Sequence, residues 1–324
     1  LNVPLPDPTI VYDANLGDSR RPFVPFSQEI SRWALYLTED LKFYEGALIV
    51  NFGSRLTNDS QFGTFTTSGA GLRYNFGSAN PATAPFGFKV NWQQSFKAPG
   101  LTQLYLTSNS RRPNPDLVPE IGVGYDIGLD VALSPSALFR ATYYRIDLTN
   151  TILSAQVFED RPRNQAINAQ ATLATGWEMT FDWELDKNWQ VFVSQTFTDA
   201  RPVGVYGVDP QDQIGRPTQG GFFYGYQFPG TPWNNTGFRV TYTSPGLTAA
   251  LSARYEGEQP FRGAVVSAPS YSTWDLTTRV PITPAVTLTG GLFNIFNTIY
   301  QEVPGILGYT SPGTTFRIGA EATF

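Results

Sequence analysis

The chain has 324 residues, no cysteine and no histidine, 22 Lys and Arg against 27 Asp and Glu, and a formal net charge of −5 with a pI near 4.9. Disulfides, thiol chemistry and imidazole catalysis or metal ligation are thereby excluded, and the acidic balance argues against nucleic acid as a partner. Charged residues make up 15%, below the roughly 25% of soluble domains, and aromatics also reach 15% with mean hydropathy at −0.20, which suits a structure apolar on one side and polar on the other. No run of about 18 apolar residues offers a spanning helix. Residues 1–25 carry no basic start followed by an apolar run, so no export signal is read there and the natural N-terminus is expected upstream.

In chain order, thirteen segments of strand length alternate apolar and polar residues. They begin near 29–43 and 47–57. Ala70, Leu72, Tyr74 and Phe76 follow, then Phe86, Phe88, Val90 and Trp92. The clearest holds Ile121, Val123, Tyr125, Ile127, Leu129, Val131 and Leu133 in one register, with glycine, aspartate and alanine between them. Segment 137–154 comes next, then Trp177–Leu185, Trp189–Phe197, 235–243, Leu247–Tyr255, Trp274–Ile282 and 285–297. The last has Phe316, Ile318, Ala320, Ala322 and the terminal Phe324 on one face. A period of two places each set on one side of a strand.

The connections are sorted. Short ones fall near 44–46, 134–136, 186–188, 244–246 and 283–284, with a medium one at 78–85; long ones are expected at 58–67, 98–119, 155–171, 201–234, 258–269 and 298–313. Short and long therefore alternate, as the periplasmic turns and extracellular loops of a transmembrane barrel do. A soluble sheet with one buried face predicts the alternation inside strands but not this sorting. The fold class is accordingly an all-β, antiparallel transmembrane barrel, in the outer membrane. With the last strand ending in the periplasm, the first of thirteen also runs that way, and residues 1–28 are expected to be an extracellular loop. Bacterial single-chain barrels have an even strand number, so at least one further strand is expected.

Three motifs resemble the C-terminal half of TonB-dependent outer-membrane receptors, particularly siderophore receptors. Ser95-Phe96-Lys97-Ala98-Pro99 precedes Asn114-Pro115-Asp116-Leu117-Val118-Pro119-Glu120, similar to that family's "NPxLKPE"; Asn294-Ile295-Phe296-Asn297 with Tyr300 resembles "NLFNxxY"; and Pro312-Gly313-Thr314-Thr315-Phe316 resembles "PGRTF", with Thr314 where arginine is usual. The resemblance covers about residues 25–324. It implies a barrel of 22 strands, of which about 13 are here as residues 29–324. It also implies an N-terminal plug and a TonB box, neither of which is found in these residues. The function it implies is energised uptake of a ferric siderophore or similar scarce chelate. Its partners would be outer-membrane lipid and lipopolysaccharide, the TonB complex acting through the N-terminal part, and the barrel-assembly machinery, for which Phe324 belongs to the signal. Iron enters only as transported chelate; no resident cofactor is implied. The alternative is a passive porin-like channel or a structural barrel in an envelope assembly, and a soluble β-sandwich adhesin stands as a further rival.

Catalysis has little support, and no catalytic or metal-ligating residue is assigned. Asp126 and Asp130, or Asp182 and Glu184, read as a polar lumen wall rather than as acid and base. Candidate ligand-binding residues lie in the long loops: Arg111 and Arg112, which suit an anionic chelate, lipopolysaccharide phosphate or plain solvent, and the aromatic run with Phe222, Phe223, Tyr224 and Tyr226, which suits a bulky chelate or an interfacial girdle. Asp209 and Asp212 sit close together in the 201–234 loop, though two carboxylates are few for calcium and make only a weak candidate. The motif residues Asn114, Pro115, Pro119, Glu120, Asn294, Phe296, Asn297, Phe316 and Phe324 read better as holders of loops and strand ends than as ligand contacts. The prolines cannot donate to a ladder, and the asparagines suit turns closed on local backbone.

Overall fold

A computed structural model describes residues 28–80, 83–108, 110–158, 162–205, 227–228, 230–261, 266–301 and 310–323. The expected loop 1–28 therefore falls almost wholly outside the described residues, as do Asp209, Asp212, Phe222, Phe223, Tyr224, Tyr226 and Phe324.

Thirteen long strands pair antiparallel in chain order, as one meander. They are β1 (Arg32–Phe43), β2 (Leu48–Asp59), β3 (Gly63–Phe76), β4 (Phe86–Lys97), β6 (Glu120–Ser134), β7 (Ala137–Thr149), β9 (Pro162–Glu184), β10 (Trp189–Val205), β11 (Asn234–Ser244), β12 (Leu247–Glu256), β15 (Tyr271–Thr283), β16 (Val286–Phe293) and β17 (Thr315–Ala322). Four short strands decorate the loop-rich end: β5 (Arg111–Arg112), β8 (Ile152–Phe158), β13 (Gln259–Phe261) and β14 (Val266–Ala268). Among the described residues the sheet does not close: β1 and β17 each keep one free edge.

The register sorts side chains onto two faces, because directly opposed residues share a face. Val90 faces Ile127, Ile127 faces Tyr143, and Tyr143 faces Trp177, which faces Phe197. This face is an apolar belt with aromatics at two levels. Phe76–Phe86 (ring centroids 5.1 Å apart) and Trp189–Tyr242 (4.9 Å) lie near the short turns, and Trp274–Phe296 (6.1 Å) lies near the long loops. Among the described residues nothing covers the belt: Ile127 is 48% exposed, Trp177 47% and Ile318 74%. Among the described residues the buried hydrophobic ones are Ala84, Leu104, Leu117, Ala137 and Tyr271. A single sheet with a bare apolar belt flanked by aromatic rows needs lipid on that side; in water it would be an aggregation surface.

The other face is polar and cross-linked. Arg73 meets Asp130 at 2.8 Å, Asn91 Nδ2 donates to Asp126 at 2.7 Å, Gln190 Nε2 donates to Asp182 at 3.0 Å, and Arg279 meets Glu321 at 2.5 Å. Arg73 reaches Asp130 by passing Gly87, where a Cβ would lie 3.1 Å from its Nη2. Tyr144 lies across Gly176 in the same manner and its hydroxyl meets Thr198 Oγ1 at 3.0 Å. In Gly176→Val the Cβ itself meets the Phe197 carbonyl and the hydroxyl end of the Tyr144 ring, so overpacking is expected to cost about 1–3 kcal/mol, read as a lowered guanidinium midpoint of the folded barrel.

Some of the expected long connections are paired hairpins. Residues 58–67 form a tight turn at 60–62 rather than a long loop, since Asp59 pairs with Gly63 in register. The Asp59 carboxylate accepts from the backbone N–H groups of Gln61 (2.9 Å) and Phe62 (3.1 Å) and from Arg32 Nη2 (2.7 Å), and Gly63 takes a φ of +84°. Below it, Ser54 with Ser68 (3.0 Å) and Asn58 with Thr64 (2.8 Å) put polar side chains on the face that is apolar lower down. The end of the hairpin, from Asn58 and Thr64 upward, thus stands beyond the apolar belt, where the alternation that reveals strands disappears. Residues 155–171 likewise belong mainly to a hairpin, β8 against the first part of β9.

Candidate functional site at the loop-rich end

The segment between β4 and β6 is built onto the β8–β9 hairpin. A short helix, α1 (Leu101–Tyr105), buries Leu104 completely, and Leu117 is 2% exposed. The backbone of Arg111 and Arg112 runs parallel beside Asn164 and Gln165, so β5, β9 and β8 form a small second sheet. Gln165 Nε2 donates to the Pro113 carbonyl at 2.9 Å, Asn114 Nδ2 to the Ala166 carbonyl at 2.8 Å, and the Asn164 N–H to the Ser110 carbonyl at 2.8 Å. Asn168 closes the base: its Oδ1 accepts from the Val118 N–H (2.9 Å), and its Nδ2 donates to the carbonyls of Val118 (2.9 Å) and Asn150 (2.7 Å). Glu120 accepts from the Ile152 N–H at 2.6 Å and pairs with Lys97 at 2.8 Å. Pro115 and Pro119 lie outside every ladder, in the docked stretch between β5 and β6. Arg111 stands exposed and Arg112 half-buried on this arm. Sequence reasoning named both arginines but not Asn164, Gln165 and Asn168, which position them; their role depends on a contact about fifty residues away in the chain.

At the same end, Asn294 and Asn297 take left-handed backbone with φ of +52° and +55°. Asn294 accepts from the Thr298 N–H (2.8 Å) and donates to the Thr298 carbonyl (2.8 Å), while its own N–H reaches Asp275 Oδ1 (2.7 Å). Thr314 closes the return path, its Oγ1 donating to the Asn294 carbonyl at 2.8 Å and its N–H to Asn297 Oδ1 at 3.1 Å. Tyr300 stacks on Tyr271 (4.1 Å, 13°), whose hydroxyl donates to the buried Glu256 at 2.9 Å. Phe296 packs edge-on to Trp274 at 6.1 Å and is 69% exposed; Phe316 sits on the apolar face opposite Leu292. On the polar face, Gly53 and Gly69 lie opposite one another and leave a groove of about 340 Å³ lined by Tyr36, Thr38, Arg55, Thr67 and Gln93.

Strands sorted in this way, with short turns at one end and a built loop apparatus at the other, define a wall of an outer-membrane β-barrel. The sequence model "TonB dependent receptor-like, beta-barrel" matches residues 4–295. The chain belongs to that family, which is one of outer-membrane receptors and transporters. Solved structures of similar fold include a ferric enterobactin receptor (PfeA) variant from Pseudomonas aeruginosa with enterobactin bound, at 17% identity and TM-score 0.69, covering 91% of this chain and 46% of the receptor. The ferric-catecholate import receptor Fiu from K12 E. coli matches at 18% identity and TM-score 0.67, covering 91% and 45%. The copper transporter OprC matches at 15% and 0.70, covering 91% and 48%. The chain thus spans about half the length of the solved receptors it matches.

Proposed function

We propose that the chain forms the C-terminal part of a receptor that takes up a ferric siderophore or similar anionic metal chelate across the outer membrane, energised through TonB. The observation that carries this reading is the arm at the loop-rich end, where β5 is zipped to β9 so that two adjacent arginines are held on a rigid sheet instead of a free loop. A guanidinium carried on a fixed backbone suits recognition of an anionic chelate, and preorganisation lowers the ordering cost of binding. Family membership and the siderophore receptors of like fold support the same ligand class. In this reading the polar face lines the lumen, the apolar belt meets lipid, lipopolysaccharide surrounds the upper rim, and the assembly machinery inserts the barrel. The TonB complex acts through parts of the receptor other than these strands.

The test is binding to the full-length receptor. A ferric tris-catecholate is expected to bind R111A/R112A at least tenfold more weakly, with the folded fraction unchanged. Equal affinity in the double variant would remove the arginines from the site. Measurable leak of a small neutral solute through the wild-type receptor without TonB would favour a passive channel.

A further inference from the structure

On the apolar face, β1 presents Trp33, Leu35, Leu37, Glu39, Leu41 and Phe43, because their partners across the ladder are Asn58, Leu56, Ser54, Phe52, Val50 and Leu48. Glu39 is the exception. Across the thirteen strands, among the described residues, it is the one charged side chain on the apolar face within six positions of the short-turn end. The other charges of that face, Arg145 with Asp147 and Asp199 with Arg201, sit eight or more positions up their strands, toward the upper edge of the band, and each is neutralised by a partner two residues away. Glu39 lies four positions from the end of β1, about 10 Å above it at a tilt of about 40° and so inside an apolar band about 25 Å tall. Its nearest same-face neighbours, Leu37, Leu41 and Phe52, cannot donate a hydrogen bond; of the diagonal ones Val50 is apolar and the Ser54 hydroxyl is engaged with Ser68 at 3.0 Å. A carboxylate there is costly unless partnered.

The free edge of β1 says where the partner sits. Backbone N–H and C=O groups exposed to hydrocarbon must be paired, so a further strand, whichever part of the protein supplies it, lies against this edge. Its residue opposite Glu39 shares the apolar face with a Cβ about 5 Å away. We propose that this position, or its diagonal neighbour, carries a lysine or arginine that pairs with Glu39 inside the membrane, so that the pair fixes the register of the joint between β1 and the adjoining strand. A slip of one residue at this joint would turn the partner's charge to the lumen face and leave Glu39 alone in lipid.

This inference rests on the membrane placement of the belt, and the test separates the two. In the full receptor folded into phosphatidylcholine vesicles, E39L and E39Q are both expected to lower the guanidinium midpoint, with E39L reducing the folding equilibrium constant at least tenfold. An unchanged or raised midpoint for E39L would show the carboxylate facing acyl chains alone and overturn the proposal. A loss seen in native membranes but absent in the purified receptor would assign the contact to another protein, and equally overturn it. Should E39L fail to fold, E39K is expected to be restored by one Lys→Glu or Arg→Glu replacement in the adjoining strand; a scan of that strand with no such rescue contradicts the pairing. Nitroxides at Leu37 and Leu41 report on the premise separately, since water-level accessibility at both would refute the membrane placement itself.

Discussion

Ile127→Arg is expected to destabilise the folded receptor in lipid by about 2–4 kcal/mol, the cost of a cationic side chain facing the bilayer midplane from a barrel wall. Ile127 sits on β6 between Val90 and Tyr143, 48% exposed, with no acidic residue opposite it on either side. The same change one face over has a different outcome. Gln93 lies on the polar face of β4 between Gly69 and Gly124, and Gln93→Arg is expected to shift stability by less than about 0.5 kcal/mol. Guanidinium titration of the two variants in vesicles checks the contrast. In a soluble protein with the belt buried against another layer, both the sign and the face dependence would depend on that layer and not on the lipid.

Asn294→Ala carries the other large effect, about 3 kcal/mol. The side chain makes two hydrogen bonds with Thr298 and is only 7% exposed, so its loss removes about 1 kcal/mol for each bond. It also asks alanine to hold a φ of +52°, which costs about 1 kcal/mol or more. Asn294→Gly separates the two contributions, because glycine takes the left-handed backbone without strain; it is expected to recover about 1 kcal/mol of the loss. Faster hydrogen exchange at the Thr298 and Thr314 amides, with the β6 and β7 amides unchanged, would localise the effect to the last loop.

Thirteen strands, their order and their apolar face were legible because a period of two survives wherever one side meets an apolar medium. Legibility ended where that medium ends. Around Asn58, Thr64 and Thr66 the face that is apolar lower down turns polar, so the end of the hairpin capped by Asp59 reads as loop. The first part of β9, with Asn164, Gln165 and Asn168, fails for the same reason, and its use as a dock for residues 110–118 is a long-range contact with no local signature. The motif asparagines were legible as turn formers because their chemistry is local: Asn294 and Asn297 bond residues within the next turn or the strand return. Glu39 shows the converse. Its segment alternates with exceptions, and only the register reveals that the exception lies on the lipid face.

The account stands on one claim, that alternate residues of each strand meet lipid and water. It is tested most directly by single nitroxides placed at every position from 121 to 133 of β6, in a chain that contributes no cysteine of its own, with the full receptor in bilayers. Oxygen accessibility is expected to peak at the odd positions from Val123 to Val131, and accessibility to a water-soluble nickel chelate at the even ones, out of phase. Profiles in phase with one another, or flat along the strand, would contradict it.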